Sequence, residues 1–152
     1  METNKIIELV KKIRNETGLG IMEIKAALEE ASGDEKKAKE ILKSKGLKKA
    51  ETKTERETHQ GRVATYTHST GKIGVMVELL CETDFVAKHE DFMELTKDIC
   101  LQIAAMDPKD VDELLKQEFI KDTSMTIEEK IKGLVVKFGE NMKLNRFARF
   151  EI

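Results

Sequence analysis

The apolar residues of this chain change their repeat near Gly61, from spacings of three and four to a spacing of two. A helix returns to one face about every 3.6 residues and a strand every second residue, so the change separates a helical segment from one built around strands. Upstream, Ile6, Leu9, Val10 and Ile13 form one stripe, Ile21, Ile24, Leu28 and Ala31 a second, and Ala38, Ile41 and Leu42 a third. Thr3 or Asn4 is expected to cap the first helix and Thr17-Gly18-Leu19-Gly20 to turn the chain sharply into the second. Ser32-Gly33-Asp34 is expected to end the second and Gly46 the third.

Downstream, Val63, Thr65 and Thr67 lead to a turn at Ser69-Thr70-Gly71-Lys72, after which Ile73, Val75, Val77, Leu79 and Cys81 alternate with other residues. That pattern predicts a hairpin with one strongly apolar face. Helical spacing resumes at Phe92, Leu95, Ile99 and Ile103 and stops at Asp107-Pro108; Val111, Leu114 and Leu115 mark another helix. Thr126 with Glu129 three residues on predicts a capping box ahead of Ile131, Leu134, Val135 and Phe138, with Gly139 ending the helix. The tail from Met142 to Ile152 alternates again, with Leu144, Ala148, Phe150 and Ile152 among its apolar positions, and is expected to add a third strand. The expected fold is α+β: a three-helix module over 1–46, a charged linker or solvated helical extension over 47–60, and over 61–152 a small antiparallel sheet with helices on one face.

A length of 152 residues fits one ordinary core with a small module attached. The charged fraction of 37% against an apolar fraction of 39% suits a soluble, helix-rich protein. With 27 Lys and Arg against 29 Asp and Glu, the net charge of -2 supplies no bulk attraction to nucleic acid or to an acidic membrane. No apolar run approaches the roughly 20 residues of a membrane span, and the start, Met1-Glu2-Thr3-Asn4-Lys5, lacks a secretory pattern. Cys81 and Cys100 are too few for a disulfide scaffold, which favours a reducing compartment. A cytoplasmic protein is expected.

Catalytic constellations are not found. His59, His68 and His89 stand apart, outside metal-ligand spacings, and Cys81 and Cys100 read as small core hydrophobes. Thr17-Gly18-Leu19-Gly20 follows a helix rather than a strand and lacks the phosphate-loop lysine, so it reads as an interhelical turn. Pairs such as Glu29-Glu30, Glu90-Asp91 and Glu128-Glu129 read as solvated helix faces. The expectation is a protein that acts by binding, without enzymatic chemistry, metal or cofactor.

Three segments carry more specific information. Arg14-Asn15-Glu16-Thr17-Gly18-Leu19-Gly20-Ile21-Met22-Glu23-Ile24-Lys25-Ala26-Ala27-Leu28, with Ala31-Ser32-Gly33-Asp34 and Lys45-Gly46 behind it, resembles the amino-terminal helical module of elongation factor Ts. Gly74-Val75-Met76-Val77-Glu78-Leu79-Leu80-Cys81-Glu82-Thr83-Asp84-Phe85-Val86-Ala87-Lys88 is similar to that family's strand and Thr-Asp-Phe-Val tip. Val136-Lys137-Phe138-Gly139-Glu140-Asn141-Met142-Lys143-Leu144-Asn145-Arg146-Phe147 resembles its passage from helix to strand.

The resemblance implies a ubiquitin-associated-like helical module joined to an α+β dimerisation domain. It also implies a partner, elongation factor Tu in its GDP-bound form, and a role as guanine-nucleotide exchange factor in translation elongation. With a single sheet-and-helix core after the linker, the chain resembles the short form of the family, in which two chains pair, so a homodimer is implied. Phe147, Phe150 and Ile152 are candidates for its interface or for ordinary core. Asp84 and Phe85 are implied to insert beside the Mg²⁺ region of the partner; without the motif, Asp84 reads as a helix cap and Phe85 as core. Arg14, Ile21, Met22 and Lys25 are implied to meet the partner's nucleotide-binding domain, with internal packing the alternative for Ile21 and Met22. Phe138 and Gly139 fall in a further contact region, although helix termination alone explains Gly139. Two other readings stand beside this one. The first is a ubiquitin-associated-like adaptor without exchange activity. The second is a ribosome- or RNA-associated factor, suggested by Lys43, Lys45, Lys48, Lys49 and Lys53, which alternate with acids from Glu51 onward and lack stacking aromatics. Direct nucleic-acid or membrane binding is therefore not expected.

Overall fold

The computed structural model describes residues 2–152. Helix α1 spans Glu2–Thr17, which puts Thr3 and Asn4 inside its first turn rather than at a cap. It ends where Gly18 adopts a left-handed conformation, φ 71°, and donates its N–H to the Arg14 carbonyl. Helix α2 covers Ile21–Glu30, and α3, covering Glu35–Glu51, is capped by the Asp34 side chain, which accepts from the Lys37 N–H at 3.0 Å. The inward stripes meet as Val10, Ile13, Ile24, Ala27, Leu28, Ala31, Ala38 and Leu42, a small apolar core among the three helices.

The third helix does not stop at Gly46. It runs on to Glu51, so the polar stretch after Gly46 begins as helix and only later becomes irregular. A glycine inside a helix costs about 1 kcal/mol relative to alanine. Here packing outweighs that cost: Gly46 lies against Val136, and Ala50, one turn further, is buried in the second core.

Strand β1 covers Gln60–Thr67 and β2 covers Ile73–Cys81. A short helix α4, Asp84–Ala87, precedes α5, Glu90–Met106, and α6, Val111–Lys116. A two-stranded ribbon of β3, Glu118–Phe119, and β4, Asp122–Thr126, leads into α7, Ile127–Phe138, and the described chain closes on β5, Met142–Glu151. The Thr126–Glu129 capping box is present in both directions at 3.0 and 3.1 Å.

The main sheet is antiparallel in the order β1-β2-β5, so the tail does pair as a third strand. Gly61 faces Leu80 across the first ladder, and a Cβ there would stand 2.3 Å from the Leu79 carbonyl oxygen, so the two backbones meet where no side chain fits. Val75, Val77, Leu79 and Cys81 point to the inner face, covered by α5, and share one core with its Phe92, Leu95, Ile99 and Ile103 and with Ile131 and Val135 of α7. A register shift opposite Glu78 and Leu79 leaves Asn145 as the extra residue of β5. The bulge reverses the parity of the strand: Leu144 lies in the core, whereas Ala148 and Phe150 face outward. Simple alternation over Leu144, Ala148 and Phe150 therefore does not describe this strand.

Candidate partner-binding site

At the end of β2 the ladder gives way to side-chain bonds. The Glu82 carboxylate accepts the Asn141 N–H at 2.6 Å, and Glu140 reaches back to Thr83, accepting its N–H at 2.9 Å and its hydroxyl at 2.7 Å. Adjacent residues on two chain segments thus bind each other crosswise, a charged acceptor meeting a backbone donor in each direction. Asn141 is buried and its amide donates to the carbonyls of Thr54 and Arg56, tying the segment between α3 and β1 to the same place. The Arg56 guanidinium in turn donates to the Gly139 carbonyl at 3.1 Å.

Above this base stands α4. Thr83, not Asp84, is its N-cap, its hydroxyl oxygen accepting from the Val86 N–H at 3.4 Å. Asp84 occupies the first helical position and pairs with Lys88 at 2.7 Å on the surface. Phe85 is 78% exposed, whereas Val86 and Ala87 beside it are buried. The core reading of Phe85 therefore fails: the tip is anchored by its rear residues and holds its aromatic ring in solvent.

Phe138 is half-buried and meets the His89 ring edge-on with centroids 4.7 Å apart, and His89 caps α5 four residues beyond Phe85. Gly139, φ 70°, ends α7 in the left-handed region and donates to the Val135 carbonyl, as helix termination requires. That turn is what delivers Glu140 and Asn141 to the end of β2.

In the helical module Arg14 lies in the last turn of α1, and Ile21, Met22 and Lys25 lie at the start of α2; all four are exposed, Met22 to 75%. Internal packing of Ile21 and Met22 is thus excluded. The turn between these helices rests on α7, because the Lys137 stem lies across Gly18, where a Cβ would stand 3.1 Å from Lys137 Cε. The Lys137 ammonium continues to Asp91 in the first turn of α5, holding that carboxyl below its ordinary value through the hydrogen bond it donates. A continuous path of contacts therefore joins the module's turn to the helix that follows the tip. Behind the tip, burial pushes the Cys81 thiol up to about 11, and burial does the same for Cys100, so neither is primed as a nucleophile.

Comparison with known proteins decides the family. Residues 82–152 match the family described as Elongation factor TS. The chain is 38% identical over 189 residues to "Elongation factor Ts" of Oleidesulfovibrio alaskensis, an alignment covering 95% of this chain and 96% of the relative. The chain belongs to the elongation factor Ts family. A chloroplastic member from Cyanidioschyzon merolae is 39% identical over 191 residues, 94% of this chain and 91% of the relative. The Clostridium novyi member is 44% identical over 145 residues, which span 95% of this chain but 47% of that protein. Alignments of 189 and 191 positions exceed the 152 residues of this chain, so those two family members carry residues with no counterpart here.

Among the surroundings of the tip, the roles of Thr83, Lys137, Glu140 and Asn141 escaped the sequence. Thr83 and Glu140 are 57 residues apart, beyond any helical or strand periodicity. The signal was their presence inside two of the segments that resemble this family.

Proposed function

We propose that this chain binds elongation factor Tu in its GDP-bound form and accelerates GDP release during translation elongation. The observation that carries the reading is Phe85: an aromatic ring held in solvent on a short helix whose base is fixed from two sides. GTPases retain nucleotide through phosphate contacts and a coordinated Mg²⁺. A ring driven in beside that ion, with the Asp84 carboxylate competing for nearby polar groups, displaces the groups that position the metal and loosens the phosphates. Asp84 and Phe85 thus disturb the partner's site, while Arg14, Ile21, Met22, Lys25, Phe138 and Gly139 hold the partner.

Linkage constrains the energetics of exchange. If binding of this chain weakens nucleotide affinity by some factor, bound nucleotide weakens the affinity for this chain by the same factor. Exchange therefore runs through a ternary complex that can expel either ligand, and GDP and GTP are neither substrates nor cofactors of the chain. Residues 1–46 act as one partner-holding unit and 61–152 as the unit that carries the tip, in the cytoplasm. The outer sheet face supports pairing of two chains: Val63, Met76 and Phe150 are exposed there, and Glu78 is set beside Asn145 and Arg146, able to meet the same surface on a second copy.

The deciding measurement loads elongation factor Tu with fluorescent GDP and follows its release in excess unlabelled nucleotide. Saturable acceleration by the purified chain is the expected outcome; release at the spontaneous rate at every concentration defeats the reading.

A further inference from the structure

We propose that Glu140 is the positioning residue of the Asp84–Phe85 tip, an inference that rests on the exchange reading above. Phe85 is exposed, so packing of its ring does not set its direction. Its direction follows from α4, which has four residues and is held at the rear by buried Val86 and Ala87. A helix that short has too few internal hydrogen bonds to hold itself in place. At its far end the His89 N–H donates to the Val86 carbonyl at 3.0 Å and leads into α5; at its near end the constraint is Thr83, whose carbonyl accepts from the Cys81 thiol and whose N–H and hydroxyl are held by Glu140.

The geometry shows how the constraint passes along. One Glu140 oxygen accepts the Thr83 N–H at 2.9 Å and the other accepts its hydroxyl at 2.7 Å. The hydroxyl has one hydrogen to give, and giving it to Glu140 turns its lone pairs toward the Val86 N–H, the bond that starts α4. The carboxylate thus fixes the Thr83 backbone and orients the cap in a single bidentate contact. Glu140 reaches this position because the left-handed turn at Gly139 carries the chain from α7 back to the end of β2. The neighbouring Glu82–Asn141 bond closes the same clasp from the other side, but it holds the strand end and makes no contact with the cap.

Loss of the carboxylate leaves Val86 buried and the fold intact while freeing α4 to swing about that anchor. Misplacing a working group by about 1 Å costs as much as a hundredfold in rate. The experiment compares Glu140→Ala and Glu140→Gln in the full chain. Glutamine keeps an oxygen for the Thr83 N–H and can donate its amide to the Thr83 hydroxyl oxygen. Two readouts are taken. With Phe85 retained, the maximal rate of stimulated GDP release and the half-saturating concentration are measured separately. In a parallel series carrying Phe85→Trp, in a chain that otherwise holds no tryptophan, fluorescence anisotropy reports the mobility of the tip.

E140A is expected to lower the maximal rate roughly tenfold, with the half-saturating concentration and thermal midpoint nearly unchanged, and to lower the anisotropy of the introduced tryptophan; E140Q recovers most of both. An E140A chain with the wild-type maximal rate, or one whose loss of rate follows loss of thermal stability and is not recovered by E140Q, overturns the role of Glu140. Should E140A not fold, Thr83→Val, which removes the hydroxyl but keeps the N–H bond to Glu140, is expected to lower the maximal rate and the tip anisotropy by a smaller amount, and unchanged values overturn the orienting role. A wild-type chain that does not stimulate release overturns the exchange reading instead, and the anisotropy series then judges the clasp by itself: unchanged anisotropy in E140A overturns that too.

Discussion

The tip and the helical module both hold apolar side chains in solvent, Phe85 on one and Ile21 and Met22 on the other, but different forces keep them in place. The tip is fixed by polar bonds in which Glu82, Thr83, Glu140 and Asn141 satisfy one another around a short helix. The module is fixed by apolar contact: a core of small and medium side chains inside it, and Gly18 and Gly46 laid against Lys137 and Val136 outside it. Directional bonds define an angle, whereas apolar packing defines proximity. The difference suits the division proposed above, in which the module would hold the partner and the tip alter it.

The largest test of this contrast is cavity formation. Ile99→Ala in the sheet core and Ile24→Ala in the module each remove a fully buried side chain, a change worth roughly 2–5 kcal/mol. Residue-resolved hydrogen exchange is expected to show Ile99→Ala weakening protection throughout, and Ile24→Ala releasing α1 and α2 while the sheet stays protected. Uniform loss in both variants would mean that the two regions are one cooperative unit.

Next comes function. Phe85→Ala is expected to reduce the maximal rate of stimulated GDP release on the order of thirtyfold, and Met22→Ala to raise the half-saturating concentration on the order of tenfold with the maximal rate kept. Reversal of the two effects, read in one titration of release rate against concentration, would break the division of labour.

A smaller effect concerns the bridge between the regions. Asp91 is held below its ordinary value of 3.8 by Lys137, so its folded form binds a proton less readily than the unfolded chain. The contribution of the pair is complete above that ordinary value and is lost as the pH falls through the lowered one. The Gly18 amide resonance is expected to shift in that acid range, and the shift to disappear in Lys137→Met. The smallest effect is ionic. Lys12 and Lys39 join Glu35, and Lys39 joins Glu16, all on the surface among the module helices. Calorimetry in 1 M salt should lower the module's transition by no more than a few degrees.

Legibility in the sequence followed the range of the interaction responsible. The Thr126–Glu129 box and the alternation of Ile73 to Cys81 act between neighbours, so they could be read directly. Gly46 looked like a stop because its reason for staying helical, the contact with Val136, lies 90 positions away. The β3–β4 ribbon was hidden for a related reason. Buried Gln102 supplies what a longer strand would: its amide donates to the Glu118 carbonyl and its oxygen accepts the Ile120 N–H. The bulge at Asn145 was equally silent, being fixed by pairing with Glu78 across the sheet. For the site, the motif pointed to Asp84 and Phe85, but their exposure and the Glu140 bond emerged only from the assembled fold.

One consequence lies in α3. Ala38 and Leu42 belong to the module's core, and Ala50 of the same helix belongs to the sheet's. Seventeen residues at about 1.5 Å each make a continuous beam roughly 25 Å long, embedded at both ends. A continuous helix of this kind links Ile21 and Met22 to the Phe85 region through folded structure rather than through a loose tether. Flexible tethers would surrender their freedom on association, at a cost in affinity. On the function proposed above, that freedom would already be given up in the folded chain.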